Sequence, residues 1–226
     1  MSSRILRTCL FAAAIVLLSV GLAHATDAVS LWDGSFSDDS ATWGALGGDG
    51  TVIPNGSTVM SSKSNTVTIS FTGGTGGLLA IQCPAAPSCS WTGGFKAGDA
   101  LLWSFDSSTF SPSGPLQLDF AAPVAAAGLL VQADAPGPFT ADAFVTFSDH
   151  TMSKMFSVTS SGDPKFIGIV DTSKVNIAAI TFDVVGSGSD HDFAADSLSI
   201  STKLVPEPAT VLLLGPALLG LLRRRF

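Results

Sequence analysis

Asn65-Thr66-Val67-Thr68-Ile69-Ser70-Phe71-Thr72 is the stretch that decides the fold class. Val67, Ile69 and Phe71 fall on one side of an extended chain, and Thr66, Thr68 and Ser70 on the other. That is the period of two of a strand with one buried face. Comparable runs follow at Leu78–Gln82, Ala100–Phe105, Leu116–Phe120, Ala127–Gln132, Ala143–Ser148, Lys154–Val158, Phe166–Val170, Ile177–Val184 and Phe193–Ile200, with Gly, Ser, Asp and Pro between them. About ten strands at this spacing predict an all-β chain folded as a single β-sandwich or jelly roll. The alanine-rich stretch Ala121–Gly128 favours helix by composition. Pro123 and Gly128 interrupt it, so it reads as extended. Thr26–Gly50, rich in Asp, Gly and Ser, reads as a loose edge region.

Both ends of the chain differ from this body. Arg4 and Arg7 precede the apolar run Leu10–Val20, and Ala23-His24-Ala25 is a small-x-small cleavage site. This is the pattern of a signal peptide over residues 1–25, with a retained N-terminal anchor as the alternative. Residues 26–204 form the sandwich body. Residues 205–226 hold Pro206-Glu207-Pro208, the apolar run Ala209–Leu222 and Arg223-Arg224-Arg225. As a helix that run is about 21 Å long, against roughly 30 Å of bilayer hydrocarbon. It suits a short C-terminal apolar helix in transient membrane contact better than a permanent span. The arginines are expected to stay cytoplasmic, leaving the body outside.

The tail resembles the PEP-CTERM sorting signal of Gram-negative bacteria, on Pro206, Glu207, Pro208, the apolar helix and Arg223–Arg225. The resemblance implies an exosortase partner that removes the tail near Pro-Glu-Pro, and a host that makes extracellular polysaccharide. It also implies passage through the inner membrane to the cell surface or medium. Leu116–Ile200 resembles the β-sandwich module common in such proteins, similar in outline to galactose-binding-like jelly rolls. The cues are Leu118-Asp119-Phe120, Pro123-Val124, Gly128, Phe166-Ile167-Gly168-Ile169, Ile180-Thr181-Phe182 and Asp196-Ser197-Leu198.

Charge narrows the partners. The whole chain carries a net charge of −7. Every arginine and the one glutamate lie in the two ends, so segment 26–205 has six lysines against seventeen aspartates, a net of −11. Such a surface excludes nucleic acid and anionic lipid as partners, since both need cationic groups. Once the signal peptide is removed, Cys83 and Cys89 are the two remaining cysteines. In an oxidising compartment an even pair reads as a disulfide closing a short loop, contributing about 2 kcal/mol. Redox or metal use is the weaker alternative, since the spacing is not Cys-x-x-Cys.

The sequence assigns no catalytic residue. It has no nucleophile elbow, no His-Glu-x-x-His, no P-loop and no dinucleotide fingerprint. Paired aspartates could serve a glycosidase, but none is singled out. Asp190, Asp192 and Asp196 beside the Gly186–Ser189 loop are the candidate calcium ligands, with Asp33, Asp38 and Asp39 as a second acidic group. Trp32 and Trp43, in the polar N-terminal stretch, are the candidate sugar-stacking residues. Trp103, in the apolar run Ala100–Trp103, reads as core. The leading expectation is an exported, non-catalytic structural or interaction protein of the extracellular matrix. The alternatives are a carbohydrate-binding module acting on exopolysaccharide and, behind it, a glycoside hydrolase.

Overall fold

The computed structural model describes residues 29–71, 78–82, 95–96, 98–106, 111–112, 114–186 and 191–204. The N-terminal part contains β1 (Val29–Leu31), β2 (Asp39–Ala41), a 3-10 turn (Trp43–Leu46), β3 (Val52–Ile53), β4 (Thr58–Met60), β5 (Thr66–Phe71) and β6 (Leu78–Gln82). Then come β7 (Ala100–Trp103), β8 (Phe105–Asp106), β9 (Ser111–Pro112), β10 (Leu116–Val124) and β11 (Ala126–Ala133). The last five are β12 (Phe139–Phe147), β13 (Phe156–Ser160), β14 (Lys165–Asp171), β15 (Ile177–Val185) and β16 (Phe193–Ser201).

These strands make two antiparallel sheets. The larger runs β1-β14-β11-β16-β7-β6-β3, with β2 also paired to β16; the smaller runs β13-β12-β15-β10-β5-β4. Strands β8 and β9 form a separate two-stranded ribbon. The all-β sandwich is therefore present in the described residues. The expected signal peptide with Ala23 and Ala25, the pair Cys83 and Cys89, and the tail with Pro206, Glu207, Pro208, Arg223, Arg224 and Arg225 lie outside them. No helix among the described residues is long and apolar enough to cross a membrane.

Strand period builds the core. Val67, Ile69 and Phe71 of β5 are buried with Leu116, Leu118 and Phe120 of β10 and Ile180, Phe182 and Val184 of β15. Facing them from the larger sheet are Leu129 and Val131 of β11, Ile167 and Ile169 of β14, and Phe193, Ala195, Leu198 and Ile200 of β16. Alternation lets each sheet turn its apolar row inward, and burial of those rows is the main driving force.

The alanine-rich stretch is the corner between the sheets. β10 belongs to the smaller sheet and β11 to the larger, with Ala125 between them. Ala125 is fully buried; its N–H donates to the Ser201 carbonyl and its carbonyl accepts from the Asp171 N–H, both at 2.8 Å. A larger side chain there would have to fit inside two ladders at once.

The N-terminal stretch is not loose: β1 forms the edge of the larger sheet, and the residues after it reach its interior. β2 pairs with the interior strand β16, matching Asp39, Ser40 and Ala41 to Ile200, Ser199 and Leu198. Asp39 is buried and accepts from Ser61 Oγ (2.6 Å), Ser62 Oγ (2.7 Å), Ser40 N (2.8 Å) and Lys63 N (2.9 Å). Burial works to raise its carboxyl pKa. The Ser61 and Ser62 hydroxyls and the Lys63 and Ser40 amides outweigh that and hold it below the ordinary value.

Candidate functional site

The site forms where a β-ladder is interrupted. On one side, β16 is paired with β11 along its length. On the other, β7 pairs only with Ala194 and Ala195, and β2 begins again at Leu198. Asp196 and Ser197 fall in the gap between those two partners. Their pairing with β11 is irregular as well: Leu129 lies opposite Leu198 and Val131 opposite Ala195, so β16 carries one extra residue. That is a β-bulge, which re-aims side chains. Ala195 and Leu198 both face the core, and the two residues between them both line a groove.

Trp43 closes the gap from inside. Its ring is fully buried, and Nε1 donates to the carbonyls of Ala195 (3.1 Å) and Asp196 (2.9 Å). An indole N–H thus stands in for the strand partner that β16 lacks there. It satisfies carbonyls that would otherwise be costly to bury.

The 3-10 turn around Trp43 forms one wall of the groove. Its volume is 590 Å³, and Thr42, Gly44, Ala45, Gly47, Gly48, Gly98, Asp99, Ala100, Asp196 and Ser197 line it. Among its glycines, Gly47 is there for closeness. A Cβ on Gly47, whose φ is 148°, would come within 2.6 Å of the Thr51 side chain. Asp196 Oδ1 accepts from the Ser197 N–H at 2.6 Å. Burial pushes the Asp196 carboxyl up; the Ser197 amide pulls it back, the Asp99 charge adds to the rise, and the net direction is upward. The groove therefore offers two carboxylates, two hydroxyls and exposed glycine backbone, with no lysine or arginine among its described lining residues, although the Lys96 charge reaches Asp196 from nearby.

The candidate residues of the sequence fall in different places. Asp196 lines the groove, but Asp192 is buried just before β16 and does not line it. Asp190 lies outside the described residues. The calcium trio is thus not assembled among the residues described, which contain no group of three potential metal ligands. What the bulge does is bring Ser197 to the side of Asp196, so that both line the groove.

The second acidic group also disperses. Asp33 Oδ1 accepts from Ser35 N, Asp38 binds Lys63 Nζ (2.7 Å) and Thr202 N (2.7 Å), and Asp39 is the buried acceptor described above.

The tryptophans reverse the expected order of exposure. Trp43 is 0% exposed and Trp32 only 5%, so neither presents a free ring face to a sugar. Trp43 is held by the ladder gap. Trp32 packs with Ala126, Val170 and Phe166 on the outside of the larger sheet. Trp103, read as core, is only half-buried and stacks on Phe105 with ring centroids 4.4 Å apart. It sits opposite Ala194, two residues along β16 from Asp196. Sequence reasoning missed Asp99 and Ser197 altogether. The one local hint was Gly98-Asp99, a turn pair whose Gly98 has φ of 91°.

No protein-family model matches this chain, and no curated protein matches it. Among solved structures, the chain is similar to a DUF4465 family protein from Bacteroides caccae ATCC 43185, at 11% identity and a TM-score of 0.41 over 76% of this chain and 99% of that one. It is also similar to a mutant of the family 29 carbohydrate-binding module CBM29-2, at 15% identity and a TM-score of 0.28 over 64% and 98%. A third neighbour is TmCBM61 in complex with β-1,4-galactotriose, at 13% identity and a TM-score of 0.26 over 60% and 84%.

Proposed function

We propose that this chain is an exported, non-catalytic surface or matrix protein that holds a neutral, hydroxyl-rich polysaccharide in the groove at the break in β16. The observation that carries the reading is the bulge, which aims Asp196 and Ser197 into a glycine-walled groove shared with Asp99 and Thr42. Carboxylates and hydroxyls arranged this way accept hydrogen bonds from vicinal sugar hydroxyls, and glycine lets a ring approach the backbone. A groove with no cation among its described lining residues, on a body of net charge −11, favours a neutral glycan over a polyanion.

Export follows the two ends of the sequence. A signal peptide cleaved after Ala25 delivers the chain, and an exosortase acting near Pro206-Glu207-Pro208 releases it from transient membrane contact to the cell surface.

Two experiments test this. On an array of neutral and uronate-containing oligosaccharides, the protein is expected to bind neutral ones selectively. Asp99→Asn with Asp196→Asn is expected to weaken that binding about tenfold or more, the scale of a lost charge-assisted hydrogen bond. Binding to uronates alone, or binding indifferent to the double substitution, contradicts the reading. Intact mass of the secreted protein from a host with and without its exosortase tests the tail, which should be missing only in the first.

Asp99 and Asp196 also favour a second reading, glycoside hydrolysis. A carboxyl whose pKa is pushed up by burial beside another carboxylate is the arrangement of an acid and its partner. New reducing ends appearing in a bound oligosaccharide, and lost with Asp196→Asn, would distinguish an enzyme from a binder.

A further inference from the structure

A second groove lies at the open flank of the sandwich. β1 ends the larger sheet and β13 ends the smaller one, and β13 lies against β14 there. Leu31, Trp32, Asp33, Val158, Lys165 and Phe166 line a hollow of 330 Å³ between these edges.

Its floor is aromatic and rigid. The Phe166 ring rests on the cross-strand pair Gly128–Gly168, where a Cβ on Gly128 would come within 2.5 Å of Gly168 Cα and 2.8 Å of the ring. Trp32 meets Phe166 edge to face, with centroids 5.9 Å apart and planes at 74°. The Trp32 indole N–H is spent on the Ser35 carbonyl at 2.6 Å, and the Ser35 N–H fixes the Asp33 carboxylate at 2.9 Å. Leu31 is 45% exposed, and Asp33 and Lys165 stand exposed at the rim.

We propose that this flank groove is a second glycan contact, taking one ring of a neutral polysaccharide against Leu31 and Phe166, which the buried Trp32 backs from beneath, with its hydroxyls between Asp33 and Lys165. The apolar lining matches the C–H face of a pyranose. One carboxylate with one ammonium gives an acceptor and a donor without net charge, so the groove has no pull on a polyanion that the rest of the surface repels. This rests on the reading that the chain binds neutral glycan. It adds that each domain makes two contacts. Three strand spacings, about 14 Å, separate β1 from β16. Two contacts at that separation let one domain join two polysaccharide strands, or grip one strand twice with gain from effective concentration.

The test is to titrate the protein with β-1,4-linked hexasaccharides of glucose, mannose and galactose while following backbone amide shifts. The expected result is shifts at Leu31–Ser35 and Lys165–Phe166 with at least one of the three. Leu31→Ser with Lys165→Ser should abolish those shifts and leave the shifts around Asp99 and Asp196 intact. Both side chains are exposed, so the melting temperature should hold and a loss of shifts cannot be put down to unfolding. Shifts confined to the groove at β16 overturn the flank contact and leave the proposed function standing. Flank shifts alone keep the contact and remove the β16 groove from the proposed function. Flank shifts untouched by the double substitution overturn the contact, and no shifts with any of the three sugars overturn both.

Discussion

Trp43 and Trp32 belong to the same polar N-terminal stretch, yet the structure uses them in opposite ways. Trp43 sits in the main core and gives its N–H to two carbonyls of an interior strand. Trp32 sits in a small satellite cluster outside the larger sheet and gives its N–H to its own turn, at Ser35. One replaces a missing strand; the other roofs the end of a sheet. The difference shows that a tryptophan's role is set by which hydrogen-bond ladder it completes, not by the polarity of its neighbours in sequence.

The largest expected effect breaks or keeps this contrast directly. Trp43→Ala removes a buried ring and leaves two carbonyls without their donor. The ring alone costs about 3–5 kcal/mol, with a further 1–3 kcal/mol for the unpaired carbonyls. Trp43→Phe isolates the N–H and is expected to cost about 1–3 kcal/mol. Trp32→Ala should cost clearly less than Trp43→Ala, because its cluster is small and lies at the sheet edge. Denaturant midpoints of the three variants check this, and equal losses for the two alanine variants would collapse the distinction.

A smaller effect concerns the groove that Trp43 holds open. Asp196 has its folded pKa raised, so its ionised form costs stability at neutral pH, and that cost fades as pH falls through its folded pKa toward 3.8. Asp196→Asn should therefore raise the melting temperature at pH 7, with the gain vanishing below pH 4. A lower melting temperature at pH 7 would mean that the carboxylate has a stabilising partner after all.

The smallest effect belongs to the stretch that Trp32 begins. At Asp38 burial acts to raise the pKa, but Lys63 and Thr202 overcome it and hold the carboxyl down at about 2. Here the sign reverses. The contribution is present above 3.8 and is lost as pH falls from there through about 2. Asp38→Asn should lower stability slightly at pH 7 and match the parent protein near pH 2. The pair is partly exposed, so the difference should shrink in high salt as well. Thermal melts of the two aspartate variants across pH would show opposite slopes.

Much of the sandwich was legible in the sequence because a strand with one buried face writes its period of two locally. Val67, Ile69 and Phe71 needed no partner to be recognised. The corner at Ala121–Gly128 was half legible: Pro123 excluded a helix, but only the pairing of β10 and β11 in different sheets shows why the residues there are small. The groove was not legible. Its bulge is a property of the register between β16 and β11, which no stretch of β16 alone displays. The partners of Trp43 lie 152 and 153 residues away, so its place in the core left no mark near residue 43. Asp190, Asp192 and Asp196 look like a set because they are close in sequence, but Asp190 lies outside the described residues, and the bulge that puts Ser197 beside Asp196 at the groove leaves no mark in that stretch.

The position of β16 has a mechanical consequence. The last described residue, Leu204, follows directly on a strand flanked by β11 on one side and by β7 and β2 on the other. A force applied to the chain from beyond Leu204 runs along β16, parallel to its neighbours. It loads the rows of hydrogen bonds on both sides at once, in shear, instead of opening them one after another as a pull on an edge strand would. Asp38, bonded to the Thr202 N–H and hydroxyl, ties the point where that force enters to the stretch beside it. Held by that end and dragged by flow, the domain would resist as a block and would not unzip from a corner.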